Sequence, residues 1–262
     1  MTARMLAAAL LVVTVAGCGG ARRTAVKALP PSLPSTTTTT TPVPESPVKA
    51  FGLQPWSTVV AYASGPSVAA YATPPGAAYA TPPGSPPAAT FTNPNNLGAP
   101  LVFRVTLVMG SWLQVMLPQR PNGSTGWIPA SAVKLYNDDY NVVVHLASHT
   151  LLLFKNGQQI EAHPVITGSA AAPTVPGDFY ITELLKAPNN TGPYGPYAFG
   201  LSDFSNTYSE FEGGPGQIAI HGTNQPNLIG QSVSHGCVRV TDDVDAHLAE
   251  ILPVGSPVLI TT

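Results

Sequence analysis

Proline and glycine recur along almost the whole of this 262-residue chain, which contains 29 prolines and 24 glycines. A proline inside a helix removes a backbone hydrogen bond and its ring clashes with the preceding turn, so this spread excludes a bundle of long helices. The glycines follow no Gly-X-Y period, which excludes a collagen-like triple helix. Apolar residues make up 44% of the chain, which is enough for packed cores. We therefore expect a mainly β fold of short strands separated by turns.

Charge is scarce, since Asp, Glu, Lys and Arg together supply only 9% of the residues and the formal net charge is -2. Such a chain has no basic field to attract the phosphate backbone of DNA or RNA, so we expect no nucleic-acid partner. The two cysteines, Cys18 and Cys237, could form one bridge at most, which excludes a disulfide scaffold. Their surroundings differ and predict two unrelated roles.

Residues 1–17 are typical of a signal peptide. Arg4 precedes the apolar run Leu6 to Ala16, which has the length of a signal-peptide core and is too short to span a bilayer as a helix. The sequence Val15-Ala16-Gly17-Cys18 resembles the bacterial lipobox, in which Cys18 would become the lipidated N-terminus and anchor the chain to the membrane. An ordinary secretory signal is the alternative. Both predict a place outside the cytoplasm, and the first predicts a cell-envelope lipoprotein that faces the cell wall.

A tether and a first folded unit are expected next. Residues 18–50 contain the threonine run Thr36 to Thr41 and scattered prolines, with little to bury, which predicts a Thr/Pro-rich disordered tether. Residues 51–137 contain short β runs broken by proline and glycine, among them Leu101 to Met109 and Trp112 to Leu117. These runs predict a small β-barrel.

Two further patterns lie in this first unit. The heptapeptide AYATPPG occurs at 70–76 and again at 78–84, which is too few copies for a solenoid and predicts strand-and-turn pieces or a loop. The sequences GSWLQVML at 110–117 and TGWIPASAVKLY at 125–136 resemble the end of a bacterial Src-homology-3-like domain. That resemblance implies a module that binds cell-wall peptides or positions a catalytic partner.

Residues 138–262 predict a second unit, a β-sandwich or barrel with one short helix. The runs Tyr140 to His145 and Thr150 to Phe154 read as strands, and Asn156-Gly157 predicts a tight hairpin turn after them. Only Asp242 to Ile251 has a helical pattern, with acidic residues at its start.

Two short segments of this unit carry residues suited to nucleophilic catalysis, His221-Gly222-Thr223 and SHGCVR at 234–239. Only a thiolate attacks a carbonyl, so a cysteine nucleophile needs a base such as an imidazole to take its proton. No Asp or Glu lies close in sequence to His221, and the Gly222 carbonyl is a candidate to hold the tautomer of its ring. Glycines at 222 and 236 allow the close backbone approach that an amide-lined oxyanion pocket requires.

Zinc binding is the alternative chemistry for these residues, because His221, His235 and Cys237 could supply three ligands. No Cys-x-x-Cys or His-x-x-x-His spacing supports it, and a further ligand would have to come from a distant histidine. We therefore expect neither a metal ion nor another cofactor.

Together the two segments resemble the signature of the L,D-transpeptidase (YkuD-type) catalytic domain, and the similarity extends over about residues 139–262. The resemblance implies that Cys237 is the nucleophile and His221 the general base, with the Gly222 carbonyl orienting the ring. It further implies an oxyanion hole formed by the backbone amides of His235, Gly236 and Cys237.

The same resemblance implies substrate contacts. Ser234 and Arg239 match positions that shape the pocket, and Arg239 could hold a carboxylate by bidentate hydrogen bonds. A structural ion pair of Arg239 with Asp242 or Asp243 is the alternative. Candidate substrate-gate residues are Tyr194 and Tyr197.

We expect from this resemblance an L,D-transpeptidase that forms 3→3 crosslinks between peptidoglycan stem peptides through a cysteine acyl-enzyme. It would cleave the bond between the diamino acid and D-alanine of a tetrapeptide stem and pass the acyl group to an amine. An L,D-carboxypeptidase, with water as acceptor, is one alternative. A non-catalytic wall-binding lipoprotein is the other.

Overall fold

The computed structural model describes residues 27–29, 43–72 and 86–262. The expected signal peptide, Cys18 and the second AYATPPG copy lie outside the described residues. Helices able to cross a bilayer, by length and apolarity, are absent from the described ranges. The described chain is mainly β, which confirms the fold class expected from the sequence.

The elements up to residue 138 form a first unit with one short helix, α1 (Pro47–Phe51). Its strands in chain order are β1 (Lys27–Ala28), β2 (Thr58–Ala63), β3 (Ser67–Ala70), β4 (Ala89–Thr92), β5 (Val102–Met109), β6 (Trp112–Met116), β7 (Thr125–Pro129) and β8 (Val133–Asp138). Six of these strands form an antiparallel sheet in the order β1-β8-β2-β5-β6-β7, while β3 and β4 form a hairpin. The resemblance of this unit to a Src-homology-3-like domain stays a prediction.

The structure differs from the expected tether at two places. Strand β1 pairs with β8, and α1 begins at Pro47, so both include residues of the 18–50 segment. The helix has ordinary start and stop signals, because the Ser46 hydroxyl accepts from the Lys49 amide and Gly52 ends it with φ of 63°. The ordered chain therefore includes residues before position 51.

A second unit follows from residue 140, with the helix α2 (Asp242–Ile251). Its strands in chain order are β9 (Tyr140–His145), β10 (Thr150–Lys155), β11 (Gln158–Pro164), β12 (Thr167–Gly168), β13 (Gly177–Lys186), β14 (Tyr197–Phe204), β15 (Gln217–His221), β16 (Ser232–Ser234), β17 (Val238–Arg239) and β18 (Pro257–Thr261). Eight of them form one sheet in the order β11-β10-β9-β18-β13-β14-β15-β17, and β12 pairs with β16. Short 3-10 turns occur at Ala130–Ala132 and Pro226–Leu228.

Local sequence signals locate the β10–β11 hairpin but not β14. Asn156 and Gly157 have φ of 51° and 74°, which confirms the tight turn expected there. β14 is a central strand that the sequence analysis missed, because Gly200, Ser202 and Asp203 interrupt its apolar pattern. Gly200 is required by packing, since a Cβ there would collide with the buried Glu183 carboxylate.

The two units meet around Tyr180, whose side chain is completely buried. Its ring packs with Val60, Val102 and Met116 of the first unit. Its hydroxyl donates to the carbonyl oxygens of Val102 and Met116 over 3.2 and 3.3 Å. The first unit thus supplies both the apolar contacts and the hydrogen-bond acceptors for a side chain of the second.

Candidate active site

The candidate nucleophile and the candidate base lie at one edge of the second sheet. Strand β15 pairs in parallel with β17, with Ile220 opposite Val238 and His221 opposite Arg239. Ile220 and Val238 are buried in the core. Because side chains alternate between the faces of a strand, Cys237, His221 and Arg239 project from the opposite face, and all three line one cleft.

Hydrogen bonds hold the turn from Ser234 to Cys237. The buried Ser234 hydroxyl donates to the Cys237 carbonyl over 2.6 Å and accepts from the Gly236 amide over 3.1 Å. Thr174, which the sequence analysis missed, donates to the Gly236 carbonyl over 2.7 Å. Gly236 has φ of 121°, and a Cβ there would lie 2.9 Å from Ile218 Cδ1. Backbone conformation and packing therefore both require glycine next to the cysteine.

The three backbone amides that were expected to line an oxyanion hole differ in whether they already donate a hydrogen bond. The Gly236 amide already donates to the Ser234 hydroxyl. Within the described residues, the amides of His235 and Cys237 carry no hydrogen bond. Ser234 is thus a support of the turn, and His235 and Cys237 have the available donors.

The tautomer of His221 follows from one hydrogen bond. Its ring is buried, and Nδ1 lies 2.6 Å from the carbonyl oxygen of Gly222. A carbonyl can only accept, so Nδ1 carries the proton. Burial lowers the pKa of His221 to about 4, a shift that the Gly222 carbonyl opposes and the nearby Arg239 reinforces. The ring is therefore neutral at neutral pH, and its Nε2 has the free electron pair of a base.

Two carboxylates from the start of α2 support the segment after His221. Asp242 Oδ1 accepts from the Thr223 amide over 2.8 Å, and Asp245 Oδ2 accepts from the Tyr197 amide over 2.8 Å. The Gly222 backbone also hydrogen-bonds to Asp245, and a Cβ on Gly222 would collide with Asp242. Burial raises the pKa of Asp245 to about 7. The sequence analysis missed this support, because it read the acids as charges that complement the helix dipole or as ion-pair partners of Arg239.

Cys237 is a neutral thiol in this environment. Removal of the sulfur from water raises the pKa of Cys237 above its ordinary value, while a backbone hydrogen bond from Ala219 and the charge of Arg239 oppose the rise. The carboxylates of Asp203 and Glu212 add to it. The residue itself is partly exposed, so reagents in the cleft can reach it. The thiol and the imidazole therefore rest as a neutral pair.

Aromatic side chains narrow the cleft, which encloses about 160 Å³. The Tyr194 ring lies over the His221 ring, with centroids 4.9 Å apart, and its hydroxyl donates to the Glu212 carboxylate. Burial, reinforced by Glu212, raises the pKa of Tyr194 and keeps this hydroxyl protonated. On the other side, the rings of Phe211 and His235 have centroids 5.3 Å apart. Aromatic rings therefore line the cleft on two sides, Tyr194 on one and Phe211 on the other.

Of the two remaining predicted site residues, Arg239 lines the cleft and Tyr197 does not. Arg239 lines the cleft, and within the described residues its buried Nε has no partner and no ion pair joins it to Asp242 or Asp243. Tyr197 contributes its backbone amide to Asp245, but its side chain is absent from the described lining of the cleft. Among the described His, Cys, Asp and Glu side chains, no three converge on a point suited to a metal ion.

Comparison with known proteins places the site in a recognised domain. The family model for the L,D-transpeptidase catalytic domain (YkuD) matches residues 139–260. A Bacillus subtilis protein named as the L,D-transpeptidase YkuD is 33% identical over 125 residues, which are 48% of this chain and 68% of that protein. A second B. subtilis protein, named as the L,D-transpeptidase YqjB, is 30% identical over 141 residues, 51% of this chain and 77% of that protein.

Other matches are partial. YkuD of Bacillus licheniformis is 34% identical over 122 residues, and the chain spans 66% of it, just under two thirds. The crystal structure of a mutant Enterococcus faecium L,D-transpeptidase covers 47% of this chain and 50% of its own, at 20% identity and a TM-score of 0.37. An L,D-transpeptidase of Mycobacterium smegmatis covers 58% of this chain at 13% identity and a TM-score of 0.37. At such TM-scores the structural likeness adds nothing to the sequence match.

Proposed function

Because this chain belongs to the YkuD family of L,D-transpeptidase catalytic domains, we propose that it is an active L,D-transpeptidase that forms 3→3 peptidoglycan crosslinks through a cysteine acyl-enzyme. The observation that carries the proposal is the hydrogen bond from His221 Nδ1 to the Gly222 carbonyl. It leaves Nε2 as the base in the cleft that contains the Cys237 thiol. A base and a nucleophile in one cleft are the minimum set for acyl transfer.

The first half-reaction breaks the bond between the diamino acid and D-alanine of a tetrapeptide stem. Nε2 of His221 takes the thiol proton while the sulfur of Cys237 attacks the carbonyl carbon. Because burial opposes charge on both groups, the proton moves during the attack and not before it. The amides of His235 and Cys237 stabilise the negative oxygen of the tetrahedral intermediate. The imidazolium then protonates the departing amine of D-alanine, and a thioester remains on Cys237.

The second half-reaction returns the enzyme to its starting state. An amine of a neighbouring stem attacks the thioester, His221 accepts the proton of that amine, and the imidazolium returns a proton to the departing thiolate. One peptide bond is broken and one is formed, so no nucleotide supplies energy. The acylated and free forms of Cys237 are the only covalent states required.

Arg239 is proposed to orient the substrate. Its guanidinium lines the cleft beside Cys237, and its Nε has no partner within the described residues. A planar guanidinium binds a carboxylate through two parallel hydrogen bonds, and the terminal carboxylate of a tetrapeptide stem is such a group. This contact would place the scissile carbonyl near the sulfur.

L,D-carboxypeptidase activity is the second candidate, because water is small enough to reach a thioester in a cleft of about 160 Å³. Both activities share the same acyl-enzyme and differ only in the acceptor.

Attachment to the outer face of the cell membrane completes the proposal. Acylation of Cys18 would anchor the chain, and peptidoglycan stem peptides would be its partners. The support comes from the sequence of the first 18 residues, which lie outside the described ranges. The mass of the mature N-terminal peptide tests this part, because diacylglycerol on Cys18 gives a shift that an ordinary secretory cleavage does not.

Purified protein incubated with tetrapeptide muropeptides tests the reaction. Mass spectrometry should find crosslinked dimers and free D-alanine, whereas a carboxypeptidase would yield trimmed monomers. A penem inhibitor should add its mass to the wild-type protein and leave Cys237→Ala unmodified. An equal mass increase in wild type and Cys237→Ala after penem treatment, or no increase in either, would contradict the acyl-enzyme.

A further inference from the structure

One wall of the cleft comes from the connection between β14 and β15, residues 205–216, which we call the wall loop. Its Phe211 ring lies against His235, Tyr208 lies next to Phe211, and Glu212 accepts from Tyr194 across the cleft. The ends of the loop meet where the Ser205 amide donates to the Gly216 carbonyl over 2.8 Å. The position of this loop therefore sets the shape of the cleft.

The wall loop is held from outside by an arginine of the first unit. Arg120, in the β6–β7 connection, donates from Nη1 to the Ser205 carbonyl over 2.8 Å and from Nη2 to the carbonyls of Tyr208 and Pro215, over 2.8 and 3.1 Å. Its guanidinium also lies 5.3 Å from the centroid of the Phe204 ring. One planar cation thus bonds the start, the middle and the end of the loop, a geometry that the fork of an arginine allows.

The glycine at the end of the loop is fitted to this arginine. Gly216 has φ of 69°, and a Cβ there would lie 3.1 Å from Arg120 Nη2 and collide with the Tyr208 carbonyl. Any larger residue at position 216 would therefore push the Arg120 guanidinium away from the carbonyl groups of Tyr208 and Pro215.

A neighbouring side chain fixes the strand that leads into the loop. Asn122 donates to Asp203 Oδ1 over 2.6 Å and to the Phe204 carbonyl over 2.8 Å, and accepts from the Phe204 amide over 3.0 Å. The β6–β7 connection thereby bonds to the end of β14 and, through Arg120, to the wall loop.

We propose that Arg120 is a positioning residue for the acyl-transfer reaction, acting from the first unit to hold the wall loop against His235. The inference rests on the proposed function, and it gives the first unit a part in the active site. Arg120 touches neither Cys237 nor His221 in the described structure, so its replacement leaves the reacting groups in place. Its side chain is exposed, and its guanidinium covers the Phe204 ring, a contact that an apolar methionine can also make.

Arg104 provides a matched control, because it is also an arginine of the first unit that binds the second. It pairs with Asp178 and approaches the Phe179 carbonyl, at 3.5 Å, and it is absent from the lining of the cleft. Arg120→Met and Arg104→Met each remove the polar contacts that one arginine of the first unit makes with the second, and we expect only the first to release the wall loop.

The test uses the full chain as wild type, Arg120→Met, Arg120→Lys and Arg104→Met. We expect Arg120→Met to lower kcat/KM for tetrapeptide muropeptides about tenfold, mainly through KM, because the loop positions substrate without reacting. Alkylation of Cys237 by iodoacetamide, which needs no substrate contacts, should stay within about twofold of wild type. Amide hydrogen exchange over 206–215 should quicken in Arg120→Met and stay unchanged in Arg104→Met. For Arg120→Lys, both kcat/KM and the exchange rate of the wall loop should lie between those of wild type and Arg120→Met, because one ammonium cannot reach all three carbonyls.

Several results would overturn the proposal. Unchanged exchange of the wall loop in Arg120→Met, or equal changes in the two methionine variants, would show that Arg120 does not position it. Alkylation lowered in parallel with kcat/KM would indicate damage to the whole site. If wild type itself forms no crosslinked or trimmed product, the proposed function fails, and the exchange comparison alone decides the role of Arg120.

Discussion

The carbonyl oxygen of Gly222 lies 2.6 Å from Nδ1 of the neighbouring His221, so a backbone group takes the orienting place that a carboxylate has in many catalytic triads. A carbonyl adds no negative charge beside the ring. Burial lowers the pKa of the imidazole to about 4, which the hydrogen bond to Gly222 opposes only in part, so the ring is neutral at neutral pH. The described site therefore contains a neutral thiol and a neutral imidazole, unlike the thiolate and imidazolium of a papain-type site.

This neutral pair predicts how the reactivity of the cysteine varies with pH. Burial raises the pKa of Cys237, so the thiolate fraction at pH 7 is lower than for a free cysteine and increases with pH. Alkylation by iodoacetamide should rise about tenfold per pH unit from pH 6 to 8, as expected below a thiol pKa. Peptide mass mapping would follow Cys237 apart from Cys18. A rate independent of pH over this range would instead indicate an ion pair.

Replacing the proposed base should leave binding intact and slow acyl transfer. His221→Ala should lower the rate of acyl transfer by about a hundredfold to ten-thousandfold, which is the usual contribution of a general base. Acylation by a penem, followed by stopped-flow absorbance, gives the rate. His149→Ala is the control, because His149 bonds to Ser232 and is absent from the cleft lining. Similar rates in the two variants would remove His221 from the mechanism.

Gly236→Ala should destabilise the turn that carries the nucleophile. The φ of 121° disfavours any side chain, and the new Cβ would lie 2.9 Å from Ile218 Cδ1. We expect a loss of about 1–3 kcal/mol in the free energy of unfolding, measured in urea, together with slower acylation. Gly230→Ala separates the two causes, because Gly230 has φ of 87° with nothing within 4 Å of its Cβ position. Equal losses in both variants would mean that backbone strain alone is responsible.

Tyr194→Phe should make the cleft easier to enter. The substitution keeps the ring over His221 and removes the hydroxyl that donates to Glu212 across the opening. Loss of one hydrogen bond of about 1 kcal/mol should speed penem acylation about fivefold. Glu212→Gln can still accept from the tyrosine and should have a smaller effect. Slower acylation in Tyr194→Phe would mean that the hydroxyl assists the reaction and does not close the cleft.

Asp245 should make stability depend on pH. Burial raises its pKa from 3.8 to about 7, so between these values the folded protein binds the proton that the unfolded chain releases. Stability therefore falls as pH rises through this range, because the unfolded state binds fewer protons. Relative to Asp245→Asn, wild type should lose stability from pH 4 to 7 in urea titrations, while Glu210→Gln, at an exposed carboxyl, should leave that trend as in wild type. Parallel curves for wild type and Asp245→Asn would refute the shift.

Local motifs predicted the parts of this molecule that depend on short sequence separations. The Asn156-Gly157 turn could be predicted from two residues, because Asn and Gly tolerate the positive φ that both adopt in the structure. The apolar run Tyr140–His145 was sufficient to predict strand β9. The segments around His221 and Cys237 indicated one site, and the structure brings both into one cleft. Their chemical roles stay predictions.

Contacts between distant segments could not be predicted in this way. Asp242 and Asp245 reach the backbone next to His221 only because α2 packs against β14, the neighbour of β15 in the sheet, and the acidic start of a helix has a sufficient local explanation. Arg120 bonds to carbonyl groups, which every residue carries, so no sequence pattern marks its acceptors. Helix α1 was missed although Ser46, Pro47 and Gly52 are ordinary boundary signals, because the surrounding prolines favoured a tether.

Tyr180 limits how the two halves of this chain can be separated or exchanged. A protein cut after residue 138 would remove the Val60, Val102 and Met116 side chains from the Tyr180 ring and leave its phenol without the Val102 and Met116 acceptors. If the second unit were joined to a different N-terminal domain, that domain would have to provide a new pocket for the Tyr180 side chain, or position 180 would have to carry a smaller residue. The identity of position 180 should therefore vary together with the kind of module that precedes it.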